Sequence, residues 1–310
     1  MTDKSRIIAA DPAGIAEAVA LLDAGGIVAA PTETVYGLAA RAADGAAVAR
    51  IYAAKGRPSF NPLIVHVSGV AQAAKLVEID PVSAALMAEF WPGALTLVLP
   101  LKPGAAVAGL VTAGLATLAV RCPAHPVMQA LIAGAGPLAA PSANASGRIS
   151  STTAAHVAAS LGDRVPLVLD GGACAAGVES TIVQVADGVV TLLRPGAVLL
   201  PGPIAEPPSP QGGGRVVAPG MMASHYAPLQ PVRLDALTAA PAEFHIGFGT
   251  VAGDASLSPA GDLTEAAARL FDLLHVAEAS GRAAIAVAPI PGHGLGLAIN
   301  DRLNRAAAPK

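Results

Sequence analysis

Lys55, Arg57 and Ser59 stand two residues apart in Lys-Gly-Arg-Pro-Ser, with Asn61 two further on. Pro58 favours an extended backbone before it, and alternate residues of an extended chain point the same way, so Lys55, Arg57 and Ser59 can converge on one object. Two cations and a hydroxyl suit a phosphate group. A solvated helix end explains Lys55 alone equally well, because cations are favoured there by the helix dipole. A second polar cluster, Thr32, Glu33, Thr34 and Tyr36, opens the same segment at Pro31. Ser142 and Asn144 are also two apart, after an apolar run, so they can project together or serve a turn. Thr117 and Arg121 flank three apolar residues and alternation puts both on one face. That arginine must find an anion or reach solvent. His66 ends an apolar run and reads as readily as a satisfied core histidine. Ser180 and Arg194 stand at strand ends, where Arg194 could pair with Glu179 or Asp170 instead of a ligand.

The elements that must position these groups follow from the pattern. Residues 27–30 form a short β-branched apolar run ending at Pro31, which predicts a buried strand with the Thr/Tyr cluster at its end. Asp44 caps a helix with Val48, Ile51 and Tyr52 on one face, and Gly56 stops it, so Lys55 and Arg57 emerge at its exit. Asp11-Pro12 and Gly25-Gly26 bracket a first helix. Further helices are predicted over 81–90, 125–133 and 152–161, and strands over 95–99, 118–120, 137–140, 167–169, 181–185 and 189–193. This alternation predicts an α/β domain over residues 1–200. Residues 201–230 are a Pro/Gly-rich linker. Residues 231–310 read as strand, strand, helix, strand, helix, a smaller Rossmann-like α/β domain. The Gly292, Gly294, Gly296 run lacks the strand-to-helix turn of a dinucleotide fingerprint and is read as a loop.

Composition narrows the function classes. The 310 residues are 53% hydrophobic and 13% charged, which fits a globular chain, and a net charge of -3 argues against a broad nucleic-acid surface. Two cysteines, Cys122 and Cys174, build neither a disulfide framework nor a zinc site and fit a reducing cytoplasm. The N-terminus does not read as a secretory signal. Residues 103–120 carry glycines and threonines that break them into short pieces rather than a membrane span. There is no P-loop, no His-Glu-x-x-His and no clear acyl-enzyme set. What remains is a basic, hydroxyl-rich cleft suited to nucleotidyl transfer by positioning and electrostatics.

Six motifs in order, PTETVYGL, KGRPSFNPLIVHV, FWPGALTLVL, APSANASG, GVESTIV and LLRPG, resemble the YrdC-like threonylcarbamoyl-AMP synthases, in their longer form with a C-terminal extension. The resemblance implies a twisted mixed sheet with a concave active-site face. It also implies ATP-dependent condensation of L-threonine and bicarbonate, with Mg2+ carried by ATP, release of pyrophosphate, and delivery of the adenylate to a tRNA threonylcarbamoyl transferase. By resemblance Lys55 and Arg57 are catalytic, and Lys55, Arg57, Ser59, Asn61, Ser142, Asn144, Arg194 and Tyr226 bind ATP. Thr32, Tyr36, His66, Thr117, Arg121 and Ser180 then bind threonine. Met221, Met222, Ser224, His225 and Tyr226 end the linker in a stretch matching the extended family's Ser-Pro-Gly-Met linker except that Ala218 replaces the serine. This stretch is expected to lie across the cleft as a lid. Two alternatives remain at this level: a carbamoyladenylate synthase on the same fold, which should carry cysteine-rich zinc modules, and a non-enzymatic RNA-binding or ribosome-maturation module.

Overall fold

The computed structural model describes residues 6–202, 204–205 and 224–309. The helix over Gly45–Lys55 shows how local chemistry sets the frame. The Asp44 carboxylate accepts from the amides of Ala46 and Ala47, and Gly56 ends the helix with φ 61°, the left-handed conformation that glycine adopts without a Cβ penalty. Its buried face, with Val48 and Ile51, enters the main core, which places Lys55 and Arg57 beside the chain segments that flank the central strands of a sheet.

That sheet has ten strands, in the order Arg6–Ala9, Leu167–Asp170, Val28–Ala30, Gly37–Arg41, Leu138–Ala139, Ile64–His66, Thr117–Arg121, Leu95–Pro100, Thr181–Ala186 and Val189–Arg194. Parallel and antiparallel pairings are mixed: Ile64–His66 runs parallel to Thr117–Arg121, and that strand antiparallel to Leu95–Pro100. The register sets His66 beside Arg121. Helices Pro12–Asp23 and Pro126–Ala135 cover one part of the sheet through an alanine- and leucine-rich core. Residues 103–120 contain the short helix Gly109–Thr112 and the start of a strand. Among the described residues no helix is long and apolar enough to cross a membrane.

A separate four-stranded sheet, all parallel, runs Val232–Arg233, Ala284–Val287, Glu243–Gly247 and Ala255–Ser256, with helices Leu263–Ala279 and Gly296–Ala307. The two-residue strand Ala255–Ser256 is one more than the sequence pattern suggests. Gly292 and Gly294 lie in a loop, and Gly296 opens the last helix.

The two sheets do not have wholly separate cores. Val35, Ile149, Val178 and Tyr226 pack with Phe271, Leu270 and Ile299. At Gly177, φ 69°, a Cβ would sit 2.3 Å from the Ala267 carbonyl oxygen, so only glycine lets helix Leu263–Ala279 come this close. The linker positions Met221 and Met222 lie outside the described residues, whereas Ser224, His225 and Tyr226 are described.

Candidate active site

The ends of several strands meet around a cavity of about 50 Å3 lined by Thr32, Thr34, Val35, Gly37, Arg57, Ile64, His66, Arg121, Ala140, Pro141, Ser142, Glu179, Ser180, Arg194, His225 and Tyr226. By the measure on which one water needs roughly 10–15 Å3, this holds a few waters and no nucleotide. His225 and Tyr226, from the end of the linker, form part of its wall.

One end of the cavity is built from the turn after Pro31. The Thr32 hydroxyl accepts from the amides of Thr34 (3.1 Å) and Val35 (3.2 Å) and donates to the Val35 carbonyl (2.6 Å). The Thr34 hydroxyl donates to Thr32 at 2.8 Å and accepts from Arg121 Nη1 at 2.8 Å. Arg121 is buried at the end of its strand, where Nε reaches the Gly93 carbonyl and Nη2 lies 2.6 Å from Glu33 Oε1. The anion that a buried arginine requires is thus Glu33. Beside Arg121, burial and then the arginine's charge push His66 down to about 3, so its ring is neutral at ordinary pH, and Nδ1 has no partner among the described residues.

The other end is cationic, with no ion pair to its cations within 4 Å among the described residues. Arg57 donates through Nε to the Asn61 carbonyl (3.2 Å) and through Nη2 to Asn61 Oδ1 (2.7 Å) and the Pro62 carbonyl (2.8 Å). Burial pulls its pKa down to about 10, with Tyr52 and Tyr226 opposing and Arg194 adding to the fall. Arg194 donates to the Ser180 carbonyl through Nε and Nη2, and through Nη2 to the Ser180 hydroxyl (3.2 Å), which itself meets Thr96 Oγ1 at 2.8 Å. Lys55 is buried behind this wall, its ammonium donating to the carbonyls of Ser142 and Asn144. Burial, then the charges of Arg57 and Arg164, hold its pKa well below the lysine range.

The cavity therefore brings together Arg57, Ser142, Arg194, Tyr226, Thr32, His66, Arg121 and Ser180, and leaves six expected residues off its wall. Lys55 supports the Ser142–Asn144 turn from behind. Asn61 orients Arg57. Asn144 is buried, its Nδ2 tied to the Ala145 and Arg148 carbonyls while Oδ1 lacks a partner among the described residues. Ser59 is exposed: the chain turns after Pro58, with the Asn61 amide donating to the Pro58 carbonyl at 3.1 Å, so the extended alternation that would have aligned Ser59 with Arg57 is broken. Tyr36 donates its hydroxyl to the Gly172 carbonyl at 2.8 Å, bracing the 170–172 loop. Thr117 shares a face with Arg121, but four residues of strand span about 13 Å, which puts it at the far end.

The sequence assigns no individual site role to Glu33, Thr34 or Glu179, and places His225 only within the stretch expected to form a lid. The first two sit in the Thr/Glu/Thr/Tyr cluster and the third precedes Ser180, so their neighbours carried the signal. His225 adjoins Tyr226; burial, opposed by Glu179, together with the charges of Arg57, Lys55 and Arg194, pushes it down to about 3.

A mixed sheet whose strand ends gather arginines and hydroxyls around one cavity, joined to a small parallel α/β unit, defines the Sua5/YciO/YrdC class with its C-terminal extension, and the chain belongs to that family. The family model described as "Telomere recombination" matches residues 20–196, and that described as "Threonylcarbamoyl-AMP synthase, C-terminal domain" matches residues 197–308. The chain is 41% identical to the threonylcarbamoyl-AMP synthase of Bacillus subtilis over 94% of its own length and 92% of the relative's. It is 39% identical to that of Pyrococcus abyssi over 91% of each. The crystal structure of P. abyssi Sua5 complexed with L-threonine superposes with a TM-score of 0.86 at 35% identity, covering 98% of both chains.

Proposed function

We propose that the protein is an ATP-dependent threonylcarbamoyl-AMP synthase, a nucleotidyltransferase that condenses L-threonine, bicarbonate and ATP to threonylcarbamoyl-AMP, pyrophosphate and water. The observation that carries this reading is the division of the cavity: cations whose hydrogen bonds go to neutral oxygens at one end, and an Arg121–Glu33 pair with threonine hydroxyls at the other. The first suits a polyanion, the second a zwitterionic amino acid. The relatives' naming and the P. abyssi threonine complex support threonine as a substrate.

The threonine amine attacks the carbon of bicarbonate, or of the CO2 formed when bicarbonate loses water; an amine proton leaves and, on the direct route, water is expelled with it. The resulting carbamate oxygen attacks the α-phosphorus of ATP, and pyrophosphate leaves. Arg57 and Arg194, with Lys55 behind them, stabilise charge on the phosphates, while the Ser142–Asn144 turn meets the nucleoside side. Thr32, His66, Arg121 and Ser180 orient threonine. Asn61 and Tyr36 hold the wall, and Ser59 and Thr117, as placed, take no part. Among the described residues no group of three or more His, Cys, Asp or Glu could hold a metal, and Glu33 and Glu179 are both engaged by arginines. Mg2+ enters this reading on ATP phosphates and water, where it offsets their charge. His225 and Tyr226 act as the inner edge of a lid that must withdraw to admit ATP and then exclude water. The adenylate passes to a tRNA threonylcarbamoyl transferase as the first step of threonylcarbamoyladenosine formation, a cytoplasmic reaction needing no stable nucleic-acid contact here.

The test is pyrophosphate release from ATP and bicarbonate with and without L-threonine. Threonine-dependent release that Arg57→Ala abolishes is the expected result. Release independent of threonine from a folded protein overturns the reading.

A further inference from the structure

Arg302 lies on the last helix, Gly296–Ala307, outside the cavity wall, yet it is completely buried. Its Nε donates to Glu179 Oε2 at 2.7 Å, and Nη1 to the Pro195 carbonyl at 2.9 Å and Asp301 Oδ2 at 2.7 Å. The guanidinium carbon sits 5.2 Å from the centroid of the Tyr226 ring, and the Phe271 ring packs on Tyr226 at 5.6 Å. Tyr226 has φ 60°, a conformation a bulky side chain holds only when its surroundings impose it. The same helix fixes the neighbouring residue, because the His225 amide donates to the Arg305 carbonyl at 3.2 Å. Glu179 and Tyr226 both line the cavity. Arg302 thus touches two pieces of cavity wall without reaching the cavity.

We propose that Arg302 is a positioning residue through which the C-terminal unit closes the cavity, holding the Tyr226 ring over it and the Glu179 carboxylate beside Ser180. The kinetic consequence rests on the synthase reading, whereas the structural one does not. Glu179 faces Arg302 from the last helix, Arg194 from its strand, Lys55 from the end of helix Gly45–Lys55, the Ser150 hydroxyl, and His225 and Tyr226 from the linker end, while Asp301 pairs with Arg302 itself. Burial alone would raise its carboxyl pKa, but Arg302, then Arg194 and Ser150, outweigh that and keep it below the ordinary range. Without Arg302 the carboxyl is raised toward neutrality and the closing segment loses its anchor.

The experiment uses the full chain with Arg302→Met, Arg302→Lys and Arg302→Met/Glu179→Gln. Hydrogen exchange is read at the amides of His225 and Ala227, and threonine-dependent pyrophosphate release is read against pH. In Arg302→Met, exchange at both amides should quicken at least tenfold while the central strands keep their protection. Its kcat should acquire a new loss toward acid pH that wild type lacks. Adding Glu179→Gln should remove that acid limb and leave exchange fast. Arg302→Lys, which keeps the charge but not the planar stack, should show a wild-type pH profile with quickened exchange. Unchanged exchange in folded Arg302→Met and Arg302→Lys overturns the anchoring. A pH profile parallel to wild type in Arg302→Met overturns the role of Glu179. Wild type without threonine-dependent release would remove the synthase reading, and exchange would still decide the anchor.

Discussion

At one end of the cavity Arg121 meets a carboxylate, Glu33, and at the other Arg57 and Arg194 meet only carbonyl, amide and hydroxyl oxygens. Among the described residues neither Arg57 nor Arg194, nor Lys55 behind them, has an ion-pair partner within 4 Å, and Glu179 is committed to Arg302. Burying a cation without a counter-ion costs more than burying one with it, so the second arrangement stores an electrostatic deficit that an anionic ligand relieves. Arg121, already compensated, also holds the Thr32–Thr34 turn in shape. The contrast separates a wall whose charge is balanced within the protein from one whose charge a polyanionic substrate balances.

Removing a partner tests this most severely at the compensated end. Arg121→Met should strand Glu33 and cost about 3–5 kcal/mol of stability in denaturant unfolding, with Arg121→Met/Glu33→Gln recovering much of it. A small loss in the single variant would mean that the pair is not a structural unit. At the uncompensated end, Arg57→Ala should leave folding far less affected but lower threonine-dependent pyrophosphate release about 100-fold or more, in the range of losing one charge-stabilising donor. Equal activity losses without a stability difference between Arg57→Ala and Arg121→Met would erase the distinction.

The acid side supplies a smaller effect. His66 and His225 are both held neutral, with pKa values near 3, against about 6.5 in an unfolded chain. The unfolded state therefore binds the extra protons between those values. Their contribution to stability is full above about pH 6.5 and is lost as pH falls toward 3, at up to about 1.4 kcal/mol per pH unit for each ring. Unfolding titrations of His66→Gln should show a shallower acid slope than wild type. An identical slope would show that the buried ring protonates freely.

How far this arrangement was legible in sequence depends on distance along the chain. The Gly45–Lys55 helix was readable to its caps because Asp44 and Gly56 act on neighbouring amides and dihedrals. Strand Gly37–Arg41 was not, since Gly-Leu-Ala-Ala-Arg has no β-branched residue. Pairing with Val28–Ala30 and Leu138–Ala139 and near-complete burial override that weak propensity. Thr117 shows the limit of alternation, which gives the face but not the distance. Glu33 was in view as part of a cluster, but its pairing with Arg121 needed the fold. Arg302 had no local signal at all: in Asn-Asp-Arg-Leu-Asn-Arg it reads as a solvated face, and its burial depends on a glutamate 123 residues earlier.

Lys55 gives the finest test of the uncompensated end. Burial first, then Arg57 and Arg164, depress its pKa well below the lysine range, and its ammonium has only the carbonyls of Ser142 and Asn144. A cation whose folded pKa is depressed gives up its proton more readily than in the unfolded chain. An anion gripped by Arg57 and Arg194 offsets the positive charge that Lys55 feels and raises that pKa again. Binding of ATP should therefore draw in a fraction of a proton as pH approaches the depressed value, and affinity should fall as pH rises further. Calorimetry of ATP binding in two buffers of different ionisation enthalpy measures this uptake directly. Lys55→Met should abolish the buffer dependence while retaining measurable, weaker binding through the arginines. If uptake persisted in Lys55→Met, the proton would belong to another group, and Lys55 would be a structural strut for the Ser142–Asn144 turn rather than part of the charge deficit.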